Sequence, residues 1–418
     1  MIYETGKNAK DFQEAYEIKG KIMKFELVYR LGEIDRQQVL HLLAISFPFE
    51  YSLGLDYFGF FIDRYPDKCY LLVRTEDGLI IGVYCLISRK LNYSGLSLDV
   101  TGISYMAVLH EYRKIGISKK LMEGMFAYAN AHSDLILGIA RRAMDNYWDP
   151  YGFLGFTNFG NISIELSRLP LGNKFLSVKN IEKNDLSMLA SLHEFTYTET
   201  LNSLVRTPAL WDYIIMKLAR ELRKIESIKT IEGKIVGYLL RSHNTIEEFC
   251  INNSFIQNAT SLIHSIIKED DPDAKDVILQ IGLTHPFSKY MRNRFSHSIN
   301  TRFAWNGGHI IRVNNLAGLF KKISPVLEQR LLTAGVNDFH FSFRDVLFKF
   351  NKQLLSIEVT PVTGMLENNQ LCFWQKLIFG VQDIRDLLED SNMDKRVLSV
   401  MQIMFPIQSP QVPLLDQF

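Results

Sequence analysis

A chain of 418 residues exceeds what one ordinary hydrophobic core holds, so two to three domains are expected, and we expect three. Apolar residues make up 47% and charged residues 22%, the balance of a folded protein, which excludes a disordered or low-complexity chain. The formal net charge is +1 with basic and acidic residues mixed along the length, which argues against nucleic acid or an anionic membrane surface as a partner.

The first twenty residues carry charges throughout and no apolar core of a secretory signal, and no apolar run reaches membrane-spanning length. Cys69, Cys85, Cys250 and Cys372 are far apart, lack a CxxC pair and sit in apolar contexts, so they read as buried free thiols rather than metal ligands or disulfides. A cytoplasmic location is expected.

Residues 1–23 show only a modest helical pattern at Phe12, Ala15, Tyr16 and Lys19. From Phe25 onward FELVYR alternates like a strand. DRQQVLHLLAISF then repeats apolar residues at helical spacing from Val39 through Leu42 and Leu43 to Phe47, with Asp35 as N-cap. CYLLVR and LIIGVYCLIS are β-rich runs parted by Thr75-Glu76-Asp77-Gly78, and LSLDVTGISYMAV follows an Asn-Tyr-Ser-Gly turn, so Cys69 to Val108 is expected to be a three-stranded antiparallel meander. A helix from near Gly116, a strand at LILGIA and an aromatic segment close this unit near Gly160. Ser167 to Gly172, punctuated by Pro170 and Gly172, is expected to be a linker.

The stretch from Lys174 to about Thr301 loosely repeats the same element order. A third part starts at HIIRVNN, continues in the amphipathic LAGLFKKISPVLEQRLL, and then alternates with period two: Phe339, Phe341 and Phe343 share one face, Leu355, Ile357 and Val359 another. These stripes read as core, with a lipid tunnel as the alternative.

The segment Met106-Ala-Val-Leu-His-Glu-Tyr-Arg113-Lys114-Ile115-Gly116-Ile117-Ser118 runs from a strand through a turn into a helix. Such a turn aims free backbone N–H groups and the positive end of the helix dipole at one spot, which suits a pyrophosphate. Arg113 and Lys114 add positive charge, Gly116 lets the backbone approach closely, and Ser118 offers one more donor. An R-x-x-G-x-S string alone is weak; the strand before it, the helix after it and the meander upstream give it weight. A second segment, Pro150-Tyr151-Gly152-Phe153-Leu154-Gly155-Phe156, carries a phenol among glycines and aromatics that either serves as a proton donor or merely packs.

On these residues the chain resembles the GNAT superfamily, whose R/Q-x-x-G-x-G/A motif is matched from Arg113 to Ser118, with Ser in the last place, and whose Y-x-x-x-G-F signature is matched from Tyr151 to Phe156. The resemblance implies acetyl-CoA as co-substrate and no metal. Met106 and Val108 would bond the pantetheine arm, and Lys114, Gly116, Ile117 and Ser118 would hold the pyrophosphate. Tyr151 would be the general acid. Glu50 and Asp56 lie where GNAT enzymes line the acceptor pocket, though a solvated loop charge is an equal reading for each. On the strand before the motif, Val100, Gly102, Ser104 and Met106 share one face and none titrates usefully, while Asp99 has the opposite parity, so a base must come from elsewhere.

Over nearly its full length, apart from residues 1–23, the chain is similar to the enhanced intracellular survival (Eis) family. That similarity implies an α/β (α+β) architecture. An N-terminal extension over 1–23 would precede a catalytic GNAT domain over 24–165. A degenerate GNAT-like domain over 173–301 would lack the CoA motif, and a sterol-carrier-like domain over 302–418 would end in a catalytic C-terminus. It further implies that the Phe418 carboxylate serves as general base and that the chain forms a homo-oligomer, dimer or hexamer. A carboxylate with pKa about 3.5 matches an ammonium near 10.4 poorly, so proton loss is expected late in the attack, once the nitrogen has bonded to the thioester carbon. A frayed tail is the alternative for Phe418; the apolar Val412, Leu414 and Leu415 favour docking. The implied substrate is a primary amine on a small polycation of aminoglycoside or polyamine type. Protein lysines or N-termini, and a non-catalytic lipid-carrier or scaffolding role, remain alternatives.

Overall fold

The computed structural model describes residues 13–18, 21–47, 55–140, 145–155, 158–172, 175–197, 203–223, 225–303, 308–351, 354–359, 368–388, 394–408 and 416. These fall into two compact units: the described residues up to Arg89 together with Asp99–Gly138, and Lys90–Leu98 together with Ile139 onward.

In the first unit, β1 (Gln13–Ile18) and β2 (Lys21–Val28) form an antiparallel hairpin, where the sequence suggested a helical pattern. Over so short a run, period two and period 3.6 fit the same apolar residues, and pairing with β2 settles it by satisfying the strand's backbone groups. β2 pairs antiparallel with β3 (Lys68–Thr75), and β3 with β4 (Ile80–Tyr93), followed by β5 (Leu96–Val108), so the expected meander is present. Its first turn is closed by Gly78 at φ 87.

Helix α1 (Glu33–Ser46) starts one turn earlier than its apolar pattern, with Gly32 as N-cap. Asp35 is therefore not the cap; its two carboxylate oxygens accept the Arg74 guanidinium fork at 2.8 and 2.8 Å. Helix α2 (Leu55–Arg64) follows, and α3 (Ile117–His132) connects β5 to the parallel β6 (Leu135–Ala140). Ile117, Leu121, Met122, Met125 and Ala129 are buried along α3. The helix start lies so close on the meander that a Cβ at Gly82 would stand 3.1 Å from Ile117 Cγ2 and 3.3 Å from Val73 Cγ2.

The second unit holds a seven-stranded sheet in the order β14 (Ser298–Phe303), β8 (Asn158–Glu165), β13 (Asp276–Leu279), β12 (Thr245–Ile251), β11 (Ile235–Ser242), β10 (Ile225–Thr230), β9 (Leu176–Asn180). Its β8 (Asn158–Glu165) comes from the stretch assigned by sequence to the catalytic domain, yet it pairs antiparallel with β13 (Asp276–Leu279) and β14 (Ser298–Phe303). Ile162 and Ile164 are buried with Phe249, Ile263 and Phe287. Leu166 and Leu169 join that core and the Leu166 N–H donates to the Lys275 carbonyl at 2.8 Å, while Ser167, Arg168, Pro170, Leu171 and Gly172 of the expected linker are exposed. The β4–β5 turn, with Ser94 at φ 50 and Gly95 at φ 87, also belongs to this unit, where the Tyr93 hydroxyl donates to the Ile378 carbonyl at 2.9 Å.

Further along, β15 (Gly308–Val313) leads into the long helix Leu316–Thr333, and β16 (Phe339–Phe343), β17 (Val346–Asn351) and β18 (Leu354–Val359) form an antiparallel sheet. Phe341 lies opposite Phe348, whose ring meets Phe320 at 6.0 Å and Trp374 at 5.9 Å. Phe341 stacks on the Phe348 ring at 5.2 Å and Phe343 lies 6.0 Å from Trp374, so the stripe covers this buried aromatic group while Phe339, Phe341 and Phe343 themselves stay half-buried. All four cysteines are free thiols; burial pushes Cys69 up to about 11 and Cys85 and Cys250 higher still, so they are inert near neutral pH.

Candidate active site

At the end of β5 the chain makes the turn that the sequence singled out. The strand pairs in parallel with β6 through Ile103 and Gly138, where a Cβ on the glycine would lie 2.4 Å from Ile103 Cγ1. Two residues later Tyr105 takes φ 48, a left-handed conformation unusual for a bulky residue, and this kink breaks the alternation of the strand. The Leu109 N–H donates to the Ile81 carbonyl at 2.9 Å and fixes the exit of the strand.

The turn then passes through His110–Tyr112 to Lys114 at φ 62 and Gly116 at φ 98, ψ 2, the N-cap of α3. No side chain caps this helix, its first turn holds no acidic residue, and its first backbone bond is Lys120 N–H to the Gly116 carbonyl. The N–H groups of Ile117, Ser118 and Lys119 are therefore left to an outside acceptor, the arrangement that binds a phosphate oxygen. Gly116 is exposed with nothing within 4 Å of a would-be Cβ, Ser118 is half-buried, and Ile117 is buried and offers only its backbone. Arg113 and Lys114 are exposed, and the Arg113 Nε donates to the Val108 carbonyl at 3.0 Å, which engages an oxygen assigned by resemblance to the pantetheine arm. Met106 is half-buried. The residues present fit a diphosphate-bearing ligand such as coenzyme A.

Around Tyr105 gather the rings of Phe61 at 5.0 Å, Phe47 at 5.5 Å and Phe58 at 5.5 Å, all edge-on. Sequence reasoning missed this residue, because nothing in SYMAV marks a kinked aromatic. Asp56 is exposed in the first turn of α2, on the helix that carries Phe58 and Phe61; Glu50 lies outside the described residues. The Asp99 N–H donates to Asp134 Oδ2 at 3.0 Å, its carbonyl accepts the Asp134 N–H at 2.9 Å, and at about 3.3 Å per strand residue it sits on the order of 20 Å from Met106, which removes it as a base.

In the second unit Tyr151 ends the short turn Asp149–Tyr151, closed by Gly152 at φ 75, ψ 21. It is half-buried with its ring 5.6 Å from that of Tyr147. The following β7 (Leu154–Gly155) pairs antiparallel with β15 through Gly155–Ile310 and Leu154–Ile311. Phe156 and Phe418 lie outside the described residues.

Near the end of the chain, Asp416 is buried at 1% exposure against Arg206. The Arg206 Nε donates to Asp416 Oδ1 at 2.8 Å and Nη2 to Oδ2 at 3.1 Å, while Nη1 and Nη2 each donate to a Glu248 oxygen at 2.7 Å. The Tyr238 hydroxyl donates to the same carboxylate at 2.7 Å, and the guanidinium lies 4.7 Å over the Trp211 ring. Burial opposes the charge, but Asp416 and Glu248 outweigh it and hold the guanidinium above its ordinary value. Asp416→Ala leaves Arg206 its Glu248 partner, so we expect unfolding stability to fall by about 2 kcal/mol, the worth of charge-assisted bonds, rather than collapse. Urea denaturation checks this; an unchanged midpoint would mean that the contact holds nothing.

The model of the acetyltransferase (GNAT) domain matches residues 28–153. No curated protein matches the chain. Among solved structures, a conserved protein of Enterococcus faecalis V583, described as a probable N-acyltransferase, is similar at TM-score 0.67 and 13% identity, covering 94% of this chain and 100% of its own. A GCN5-related N-acetyltransferase of Anabaena variabilis ATCC 29413 is similar at 0.66 and 14%, covering 94% and 100%. Eis1 of Mycobacterium abscessus is similar at 0.61 and 11%, again covering 94% and 100%. At such identities the likeness speaks of fold, an α/β architecture shared along the chain, while the domain match speaks of the family. The bare helix start behind a kinked strand thus lies inside a matched domain, and residues 28–153 are a GNAT acetyltransferase domain.

Proposed function

We propose that the chain transfers the acetyl group of acetyl-CoA to primary amines of small polycationic molecules, of the polyamine or aminoglycoside type. The observation that carries the reading is the uncapped start of α3, opened by left-handed Gly116 and flanked by Arg113 and Lys114, within a GNAT acetyltransferase domain. Its amides at Ile117, Ser118 and Lys119 would hold the diphosphate without side-chain competition. Met106, and Val108 beside its Arg113 contact, would orient the pantetheine arm through the backbone. Tyr151 would donate its phenolic proton to the departing thiolate, since a phenol stays protonated where a thiol near 8.5 begins to ionise.

The exposed Asp56 carboxylate, at the start of the helix whose Phe58 and Phe61 pack about Tyr105, favours a cationic acceptor. Glu50 would add a second carboxylate there. The acceptor's proton would pass to the Phe418 carboxylate, late in the attack and through water. The buried Asp416–Arg206 contact two residues earlier supports a docked rather than a frayed tail. Phe320, Phe348 and Trp374 pack on one another and fill the space beside this sheet, which speaks against a lipid-carrier role for the last part of the chain.

The test is acetyl-CoA turnover over a panel of polyamines, aminoglycosides and lysine peptides, on the native chain and on one lengthened by a few residues after Phe418. We expect turnover on the small polycations alone, and a loss on the order of 10² in the lengthened chain with acetyl-CoA binding kept. Turnover on peptides alone would make it a protein acetyltransferase. Binding without turnover on any amine would leave a non-catalytic protein.

A further inference from the structure

Tyr151 and Gly152 are held by two side chains that no motif marks. The β7–β15 ladder ends at Leu154–Ile311, and the turn that carries Tyr151 lies just before it in sequence. There, side chains continue what the ladder no longer supplies. The Arg312 Nε donates to the Tyr151 carbonyl at 2.8 Å, while its Nη1 donates to Asn314 Oδ1 at 3.3 Å. Gln375, on the helix Asn368–Ile378 and fully buried, uses both ends of its amide. Its Oε1 accepts the Val313 N–H at 2.8 Å and its Nε2 donates to the Gly152 carbonyl at 3.1 Å. The orientation of the amide follows from the chemistry, because an N–H needs the oxygen and a carbonyl needs the NH₂. With the carbonyls of residues 151 and 152 both tied, the backbone dihedrals on the C-terminal side of Tyr151 are fixed.

We propose that Gln375, with Arg312, is a positioning residue for the reaction: it holds the turn so that the Tyr151 hydroxyl is aimed at the departing thiolate. This rests on the reading of Tyr151 as proton donor given above. The last third of the chain then contributes to the chemistry through a rigid brace, besides any role of its end. A misplacement of the phenol by a fraction of an ångström costs rate in the step that needs its proton, and leaves acetyl-CoA affinity alone.

The experiment is a double-mutant cycle of Gln375→Met and Tyr151→Phe in the full chain, with kcat and KM for acetyl-CoA measured on the best amine of the panel. Gln375→Met is expected to lower kcat about tenfold with KM within about twofold, and to lower it less than about twofold further once Tyr151 is Phe, because the brace acts through the phenol. Gln375→Glu keeps the acceptor for Val313 and, protonated in its buried site, a donor for Gly152, so it should recover most of the loss. If Gln375→Met does not fold, Arg312→Ala, which removes the tie to the Tyr151 carbonyl together with the contact to Asn314 but leaves Gln375 in place, enters the same cycle with a loss of about threefold expected. An unchanged kcat, or the same loss in the Tyr151→Phe background, overturns the brace while leaving Tyr151 as the acid. A native rate for Tyr151→Phe alone overturns the proton-donor reading, and the positioning role with it.

Discussion

Replacing Tyr151 by Phe is expected to slow acetyl transfer by about 10²-fold or more, the usual scale for a lost general acid, with KM for acetyl-CoA nearly unchanged. The substitution removes one oxygen from a half-buried ring beside Tyr147 and keeps the backbone-carbonyl ties of the turn to Arg312 and Gln375. The fold should therefore melt as the native chain does, and the loss should sit in kcat. A rate ratio that stays flat with the basicity of the leaving thiol would contradict the role, because an analogue thiol of lower pKa needs the proton less and should narrow the gap between the two enzymes.

Gly116→Val is expected to weaken acetyl-CoA binding by at least about tenfold, and further if the new side chain blocks the diphosphate itself. Two effects add. At φ 98 a β-branched residue is strained, so the turn is pushed away from the geometry that aims the amides of Ile117, Ser118 and Lys119. A Cβ there meets no protein atom within 4 Å, so the side chain projects into the open space in front of the helix start, where the ligand must approach. Steady-state kinetics should show a raised KM for acetyl-CoA with KM for the amine moving far less. Equal shifts in both would point to general distortion of the domain.

Local signals made the first unit readable. Asp77-Gly78 and Ser94-Gly95 announce their turns because glycine at positive φ is what each needs, and Arg113 to Ser118 announces a strand-to-helix turn by the same logic at Gly116. What failed lay in nonlocal or marginal choices. The strand Gln13–Ile18 was read as helix because six residues carry too little pattern to separate the two periods. The partners of β8 are not legible in sequence because they lie more than 100 residues on, and pairing of that range leaves no trace in local propensity.

The site shows the same split. Gly116 and Ser118 follow from spacing, whereas Tyr105 does not, since its left-handed backbone is enforced by the surrounding Phe47, Phe58 and Phe61 against its own preference. Arg206, Glu248 and Asp416 form one buried ionic group from positions up to 210 residues apart, and each alone reads as an ordinary charge. Gln375 is invisible for the same reason: a glutamine inside NNQLCFWQKLI is unremarkable until both ends of its amide are seen to be engaged.

Isothermal titration of the purified chain with acetyl-CoA tests most directly whether the amides opening α3 hold a diphosphate. The account predicts saturable heat corresponding to one ligand per chain, weakened by rising salt and by Gly116→Val. A flat titration, or heat that Gly116→Val leaves untouched, would contradict it.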